Sequence, residues 1–370
     1  MYREKVDNTN ETPIETPIES EVKVPEAPAI IVKEKPSIIA AGTDCGTMNL
    51  VLARNDTNII KTTRNVFLPI KEDEISISDL SDISYIKSDD GNIYIIGDDA
   101  FRFANIFSKE VSRPMEKGLI SPKEINAIDV LTLIIRDLFV DNIKEKEVYC
   151  SYSIPAESID EARSVTYHEK VFGKIFGALG INHTAVNEAT AIIYSECRKE
   201  QFTGLAISFG AGMTNLSCTF KGIEAGKFST AKGGDYIDRM VSESLNMIPN
   251  RVTAVKEKYL DLTGAIDPNI QKKNERILEA LYFYYESVMN YTIKKMITEF
   301  EKRIDIEIDD AIPIIISGGT SLPNGFLEMF KNVFNKYQFP IKISEIRRAV
   351  NPMTAVAQGL LIKTMSDIGK

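Results

Sequence analysis

The chain has 370 residues, 44% hydrophobic and 26% charged, with a formal net charge of −9. That length excludes a peptide or a lone small module and predicts two domains around a large core. An acidic chain with no basic block argues against a dedicated nucleic-acid binder, and four cysteines without a CxxC, beside only His168 and His183, argue against a zinc-finger or histidine-rich metal site.

Residues 1–36 hold five of the 15 prolines, a near-repeat of Glu-Thr-Pro-Ile at 11–14 and 15–18, and eight acidic against five basic residues. Such a segment buries too little surface to offset its ordering entropy. It is expected to be a disordered acidic, proline-rich tail, with a docking arm for an adaptor as the alternative. From Ser37 the pattern changes. Residues 37–44 predict a buried strand ending in a glycine-bearing turn, and Leu50–Arg54 its hairpin partner. Ile93–Ile96 is a short strand. Pro122 to Phe139 carries Ile125, Ile128, Leu131, Ile135 and Leu138 at helical spacing. Val148–Ile154 is a strand. Ser158 to Leu179 predicts a helix with Ser158 as N-cap and Gly180 as its stop.

Glu188 to Lys199 is helical, and Leu205–Phe209 with Leu216–Phe220 forms a second hairpin around a glycine turn. Asn274 to Phe300 predicts one long helix with two apolar stripes: Tyr284, Val288 and Tyr291, and Tyr285, Met289 and Ile293. Ile312–Ser317 is a buried strand, followed by Gly318–Gly319 and a helix through Phe334. Strands mixed with helices define an α/β protein. The strand, glycine turn, strand pattern at 37–54 recurs at 204–220, which suggests two related halves. The four cysteines, Cys45, Cys150, Cys197 and Cys218, are expected as reduced buried thiols. No apolar run reaches membrane-spanning length and the N-terminus lacks an apolar signal core, so the expected location is cytoplasmic.

Four stretches could carry chemistry. Gly42-Thr43-Asp44-Cys45-Gly46-Thr47-Met48-Asn49 places a carboxylate at the end of a buried strand and glycines in the following turn. Backbone N–H groups of such a turn can cradle phosphate oxygens, and a divalent cation would offset the buried Asp44. A plain β-turn fits the same residues. Ser208-Phe209-Gly210-Ala211-Gly212-Met213-Thr214-Asn215 repeats the design, and two facing hairpins could clamp one polyphosphate. Asn187-Glu188-Ala189-Thr190-Ala191 puts Glu188 in a first helical turn, where it favours the helix dipole or acts as a water-orienting base near a phosphate. Ser317-Gly318-Gly319-Thr320-Ser321-Leu322 opens a buried strand through two glycines, which permits close approach of a flat base or ribose.

Together these stretches resemble the actin, sugar-kinase and heat-shock-chaperone ATPase superfamily. Arg113-Pro114-Met115-Glu116-Lys117-Gly118-Leu119-Ile120, Ile96-Gly97-Asp98-Asp99-Ala100 and Lys232-Gly233-Gly234-Asp235-Tyr236-Ile237-Asp238 are similar to stretches of its bacterial actin-like branch, the MreB and MamK proteins, and Asn351-Pro352 through Gly359 is similar to the closing helix of the family. The resemblance covers about 37–366. It implies a two-lobed α/β actin-like ATPase fold, each lobe a mixed sheet flanked by helices, with ATP or ADP and magnesium in the cleft. It implies lobe I over 37–190 plus 351–370, with a small insertion at 68–112, and lobe II over 191–350, with an insertion at 235–300. By motif position Asp44 would hold the magnesium shell through water, and Glu188 would orient the attacking water. Gly46, Thr47, Met48, Asn49, Gly210, Ala211, Gly212 and Thr214 would sit at the phosphates. Lys256, Gly318, Gly319, Thr320, Ser321 and Leu322 would line the nucleoside. Three positions depart from the pattern. Ser208 stands where an aspartate usually helps hold the metal, Asn215 where an acid often follows the loop threonine, and Thr253 where a glutamate is expected near the lysine. Loss of a metal-shell carboxylate should weaken magnesium binding or slow hydrolysis.

The function implied is an ATP-binding protein that polymerises head to tail into cytoskeletal filaments, with slow ATP hydrolysis, for positioning, shape or segregation. The alternatives are a non-polymerising nucleotide-bound scaffold or membrane-recruitment adaptor, and a small-molecule kinase of the same fold. A chaperone-type ATPase is disfavoured, because such proteins carry a substrate domain after the nucleotide lobes.

Overall fold

The computed structural model describes residues 38–74, 83–87, 91–107, 109–139, 146–161, 163–265, 270–303 and 310–369. The tail expected at 1–36 lies outside them.

The first half opens with an antiparallel meander, β1 (Ile38–Cys45), β2 (Asn49–Arg54) and β3 (Lys61–Arg64). A small module follows. Its strands β4 (Phe67–Lys71), β5 (Tyr85–Lys87) and β6 (Asn92–Ile96) pair in the order β4-β6-β5 and α1 (Gly97–Phe107) covers them, around a core of Val66, Leu68, Ile70, Ile93 and Ile95. The chain then forms the short hairpin β7 (Met115–Glu116) and β8 (Leu119–Ile120), then α2 (Ala127–Phe139), β9 (Glu147–Ile154), α3 (Val165–Ala178), β10 (Asn182–Asn187) and α4 (Glu188–Glu196). β9 pairs in parallel with both β1 and β10, so the first sheet has the order β10-β9-β1-β2-β3.

The second half repeats this plan. β11 (Gly204–Phe209), β12 (Thr214–Phe220) and β13 (Ile223–Thr230) form the meander, and α5 (Gly234–Leu245), α6 (Pro249–Tyr259) and α7 (Lys272–Arg303) follow. Next come β14 (Ile312–Ser317), α8 (Phe326–Phe334), β15 (Ile343–Arg348) and α9 (Ala355–Asp367). The order is β13-β12-β11-β14-β15, with β11, β14 and β15 parallel. In each sheet the first strand of a meander pairs in parallel with the first of two later strands, so the recurrence suggested by the two glycine hairpins reappears as the same sheet order. β11 and β14 are buried at all six positions, as expected of strands covered on both faces.

Each half has its own core, one around Leu52, Ile135, Phe172 and Phe176, the other around Phe209, Leu281, Tyr285 and Phe330. A third cluster lies between the sheets. There Ala189, Ile192 and Ile193 of α4 meet Ala206, Ile315, Val356 and Leu360. All four cysteines are buried and free. Among the described residues no helix is long and apolar enough to cross a membrane.

Several expected boundaries move. The helix expected from Pro122 begins at Ala127, because Glu124 and Asn126 carbonyls close turns onto Ala127 and Val130. Ile125 is 94% exposed and Ile128 also faces solvent; the buried face is Val130, Leu131, Ile134, Ile135 and Leu138. The helix expected from Ser158 begins at Val165, with Ser164 as its N-cap. Ser158 instead lies in a segment that pairs alongside Ser229, with Ile159 N–H donating to Ser229 and Ser229 N–H to Glu157. Gly180 ends α3 as expected, at φ 72°. α4 stops at Glu196 rather than Lys199. Gly319–Ser321 is a single 3₁₀ turn, and α8 starts only at Phe326. In α7, Tyr285, Val288, Met289 and Ile293 are buried, while Tyr284 and Tyr291 are half-exposed.

Candidate nucleotide site

Parallel strands of an α/β sheet present their carboxyl ends, and the loops that follow them, to ligands. Here the ends of β1, β9, β10, β11 and β14 converge on one cleft of about 640 Å³. That volume lies in the range of small-molecule and cofactor sites.

Two hairpin turns face the cleft. The first, Cys45 to Asn49, is held by Asn65, whose side-chain amide donates to the Gly46 carbonyl (3.0 Å) and whose N–H donates to Met48 (2.8 Å). In the second, Gly210 to Met213, the carbonyls of Gly210 and Ala211 accept from Gly234 and Asp235 N–H, and Thr320 Oγ1 also donates to Gly210. In a trans peptide the C=O and N–H point in opposite directions. Carbonyls drawn toward the start of α5 therefore turn the Ala211 and Gly212 N–H edges away from that helix. The tip of the β7–β8 hairpin ties the two turns together. Gly118 N–H donates to Thr47 Oγ1 (3.1 Å), and a Cβ on Gly118 would lie 2.2 Å from Met213 Sδ, at φ 75°. Beside it Arg113 makes a two-oxygen ion pair with Asp235 at 3.1 Å, which joins the two motif stretches read from the sequence.

Two carboxylates lie between the hairpins. Asp44 accepts from Ser153 Oγ at 2.8 Å, and Ser153 Oγ in turn accepts Cys45 N–H at 2.7 Å. Burial pushes the Asp44 carboxyl above its usual range, opposed by the Ser153 hydrogen bond. Glu188 is the first residue of α4, whose N-terminus is capped by the Asn187 side chain accepting from Ala189 and Thr190 N–H. Burial first, and then the charge of Asp44, push Glu188 well up, while hydrogen bonds from Ser208 and Asn215 act against the rise. Ser208 and Asn215 are register partners across the β11–β12 ladder. Asn215 Oδ1 accepts Ala156 N–H at 2.9 Å, which fixes the amide so that its NH₂ donates to Glu188. The residues fit a hard divalent cation: oxygen donors, two carboxyls raised by burial, and no lysine or arginine paired with either among the described residues.

The far end of the cleft is lined by Gly318, Gly319, Thr320 and Leu322, by Met353, by Thr253, Lys256 and Glu257 of α6, and by Leu260 just past its end. Spacing of three and four places those α6 residues on one helix face. Lys256 is committed within the protein: its ammonium sits 2.7 Å from buried Asp238, which also accepts from Thr253 Oγ1 at 2.6 Å. Burial nevertheless raises the Asp238 carboxyl, against the pull of Lys256.

One cavity thus collects Asp44, Gly46, Thr47, Met48, Asn49, Glu188, Gly210, Ala211, Gly212, Lys256, Gly318, Gly319, Thr320 and Leu322. Thr214 and Ser321 do not line it; their hydroxyls donate to the Lys232 and Gly318 carbonyls and hold the loops. Sequence reading missed Ser153 and Arg64. Ser153 could have been found from its place near the carboxyl end of a strand parallel to β1. Arg64 carried no local signal.

No curated protein matches the sequence. Solved structures do. The chain is similar to a MamK double helical filament at 17% identity, over 88% of this chain and 98% of that one, with TM-score 0.66. It is similar to a non-polymerising MamK mutant bound to AMPPNP at 17% identity, over 89% and 99%, with TM-score 0.57. It is similar to MreB5 of Spiroplasma citri bound to ADP at 12% identity, over 90% and 98%, with TM-score 0.62. The fold is therefore the two-lobed actin-like fold, two mixed five-stranded sheets flanked by helices. A family model described as Volactin matches residues 39–364, and the chain belongs to the Volactin family.

Proposed function

We propose that the protein binds ATP or ADP with magnesium in the cleft and assembles head to tail into filaments, hydrolysing ATP slowly. The observation that carries the reading is the pair of facing glycine hairpins with Asp44 and Glu188 between them. The actin-like fold shared with a MamK filament and with ADP-bound MreB5 supports it. Lobe I is assigned to 37–190 plus 351–370 and lobe II to 191–350, so that each lobe contributes one hairpin.

In this reading the peptide N–H groups of Gly46 to Asn49 and of Gly210 to Gly212 hold phosphate oxygens. Gly318, Gly319, Thr320 and Leu322, with Thr253 and Lys256 opposite, line the nucleoside. Asp44 holds the magnesium shell through water, and the ion, when bound, neutralises phosphate charge. Glu188 orients the attacking water and can accept its proton, a role suited to a carboxyl whose proton affinity burial has increased. Ser208 favours a second reading, a nucleotide-bound scaffold with little turnover, since a hydroxyl supplies no fixed charge where a carboxylate would.

The test is sedimentation and phosphate release in parallel with ATP, ADP and a non-hydrolysable analogue, on wild type and Glu188→Ala. The proposal expects ATP-dependent pelleting, with phosphate release lost in the variant. Pelleting without release favours the static scaffold. No pelleting with any nucleotide overturns the filament.

A further inference from the structure

Among the described residues only two cations line the nucleotide cleft, Arg64 and Lys256. Lys256 belongs to the nucleoside end and is held by Asp238. The phosphate end otherwise presents two carboxyls, Asp44 and Glu188, which offer a polyphosphate no positive charge. Arg64 lies at that end. It pairs in register with Asn49 of the first hairpin, and the next residue, Asn65, is bonded to both Gly46 and Met48 of the same turn. Arg64 and the first hairpin therefore form one rigid piece.

We infer that Arg64 is the cation that meets the terminal phosphate of the bound nucleotide and so separates triphosphate from diphosphate. The inference rests on the nucleotide reading above. Arg64 Nε donates to Asp98 Oδ1 at 2.9 Å, and the two side chains are 37% and 73% exposed. An ion pair this wet contributes little by itself. Its planar fork can serve a carboxylate and a phosphate at once. Asp98 lies in the first turn of α1, which covers the small β4-β6-β5 sheet. Arg64 thus links phosphate occupancy to that module through one side chain.

The experiment is equilibrium binding of fluorescent ATP and ADP, with magnesium, to wild type, Arg64→Ala, Arg64→Lys and Asp98→Asn. Thermal unfolding of each variant checks that it is folded. Loss of a charge-assisted contact predicts that Arg64→Ala weakens ATP roughly tenfold to a hundredfold and ADP by less than about twofold. Arg64→Lys should recover part of the ATP affinity, because it keeps the charge and loses the fork. Asp98→Asn removes the charge of that one partner and should leave ATP binding equal or tighter. Equal loss of ATP and ADP in Arg64→Ala would overturn the inference, as would an ATP-selective loss in Asp98→Asn matching that of Arg64→Ala. A wild type that binds neither nucleotide would instead remove the nucleotide reading itself.

Discussion

Gly359 of α9 lies directly against the backbone of Ala191 in α4: a Cβ on Gly359 would sit 1.7 Å from the Ala191 carbonyl oxygen. These two helices cross between the sheets, in the cluster that joins the two halves. No side-chain rotation relieves a clash with backbone. Gly359→Ala should therefore cost about 3 kcal/mol or more. Gly180→Ala is the control, since its site is open and only its positive φ opposes a side chain; that should cost about 1 kcal/mol. Urea denaturation of both variants measures the difference, and equal losses would contradict the tight crossing.

Ser208→Asp should act in opposite directions with and without metal. A third carboxyl beside Asp44 and Glu188 adds unpaired buried charge, so the metal-free protein should lose about 1–3 kcal/mol. With magnesium and ATP the added carboxylate should strengthen metal binding and raise phosphate release, by roughly tenfold for each 1.4 kcal/mol gained in the transition state. Unfolding in chelator and phosphate release in magnesium give the two readings. An unchanged release rate would count against Ser208 as a limit on the proposed ATP hydrolysis.

Lys256 and Asp238 form a largely buried pair, with side chains 14% and 6% exposed. Lys256→Met leaves the Asp238 carboxylate with Thr253 as its remaining partner and should destabilise by about 3 kcal/mol. Adding Asp238→Leu removes the stranded charge and should restore much of the loss, a coupling that a double-mutant cycle measures. Additive losses would show that the pair contributes packing rather than charge compensation.

His168 on α3 is 1% exposed, lies against Phe172 with ring centroids 4.7 Å apart and the planes tilted by 48°, and has no hydrogen-bond partner on either ring nitrogen among the described residues. Burial, aided by the charge of Arg163, lowers its pKa from 6.5 to about 3. Between these values the unfolded chain binds the proton and the folded chain does not. The stability is therefore complete above the unfolded pKa and falls as pH drops toward 3, by about 1.4 kcal/mol per unit. At pH 5 the loss is about 2 kcal/mol. Other groups titrate in the same range, so the comparison is between wild type and His168→Phe. The variant should lose less stability between pH 7.5 and 5, and parallel losses would contradict the assignment.

The parts legible in the sequence are those set by local chemistry. Buried apolar runs gave β1, β9, β11 and β14 nearly to the residue, and the glycine turns gave both hairpins. The parts that were not legible depend on distant partners. Ser158 looks like an N-cap, but pairing alongside Ser229, some seventy positions away in the chain, takes that segment out of the helix. Ile125 fits the helical spacing, yet the turn closed by Glu124 precedes the helix and leaves it in solvent. The short, polar strand β3 has no hydrophobic pattern to reveal it. Arg64, which it carries into the cleft, was invisible for the same reason. The loop motifs placed Asp44 and Glu188, but Ser153 and the orientation of Asn215 come only from the packing of β9 and its following segment against both sheets.

The most direct test of the central claim is titration calorimetry of the protein with ATP, with and without magnesium, on wild type and Asp44→Ala. The account predicts one ATP per chain, tighter with magnesium, and a magnesium effect that disappears in Asp44→Ala. No heat of binding from any nucleoside triphosphate, or binding unaffected by both magnesium and the substitution, would contradict it.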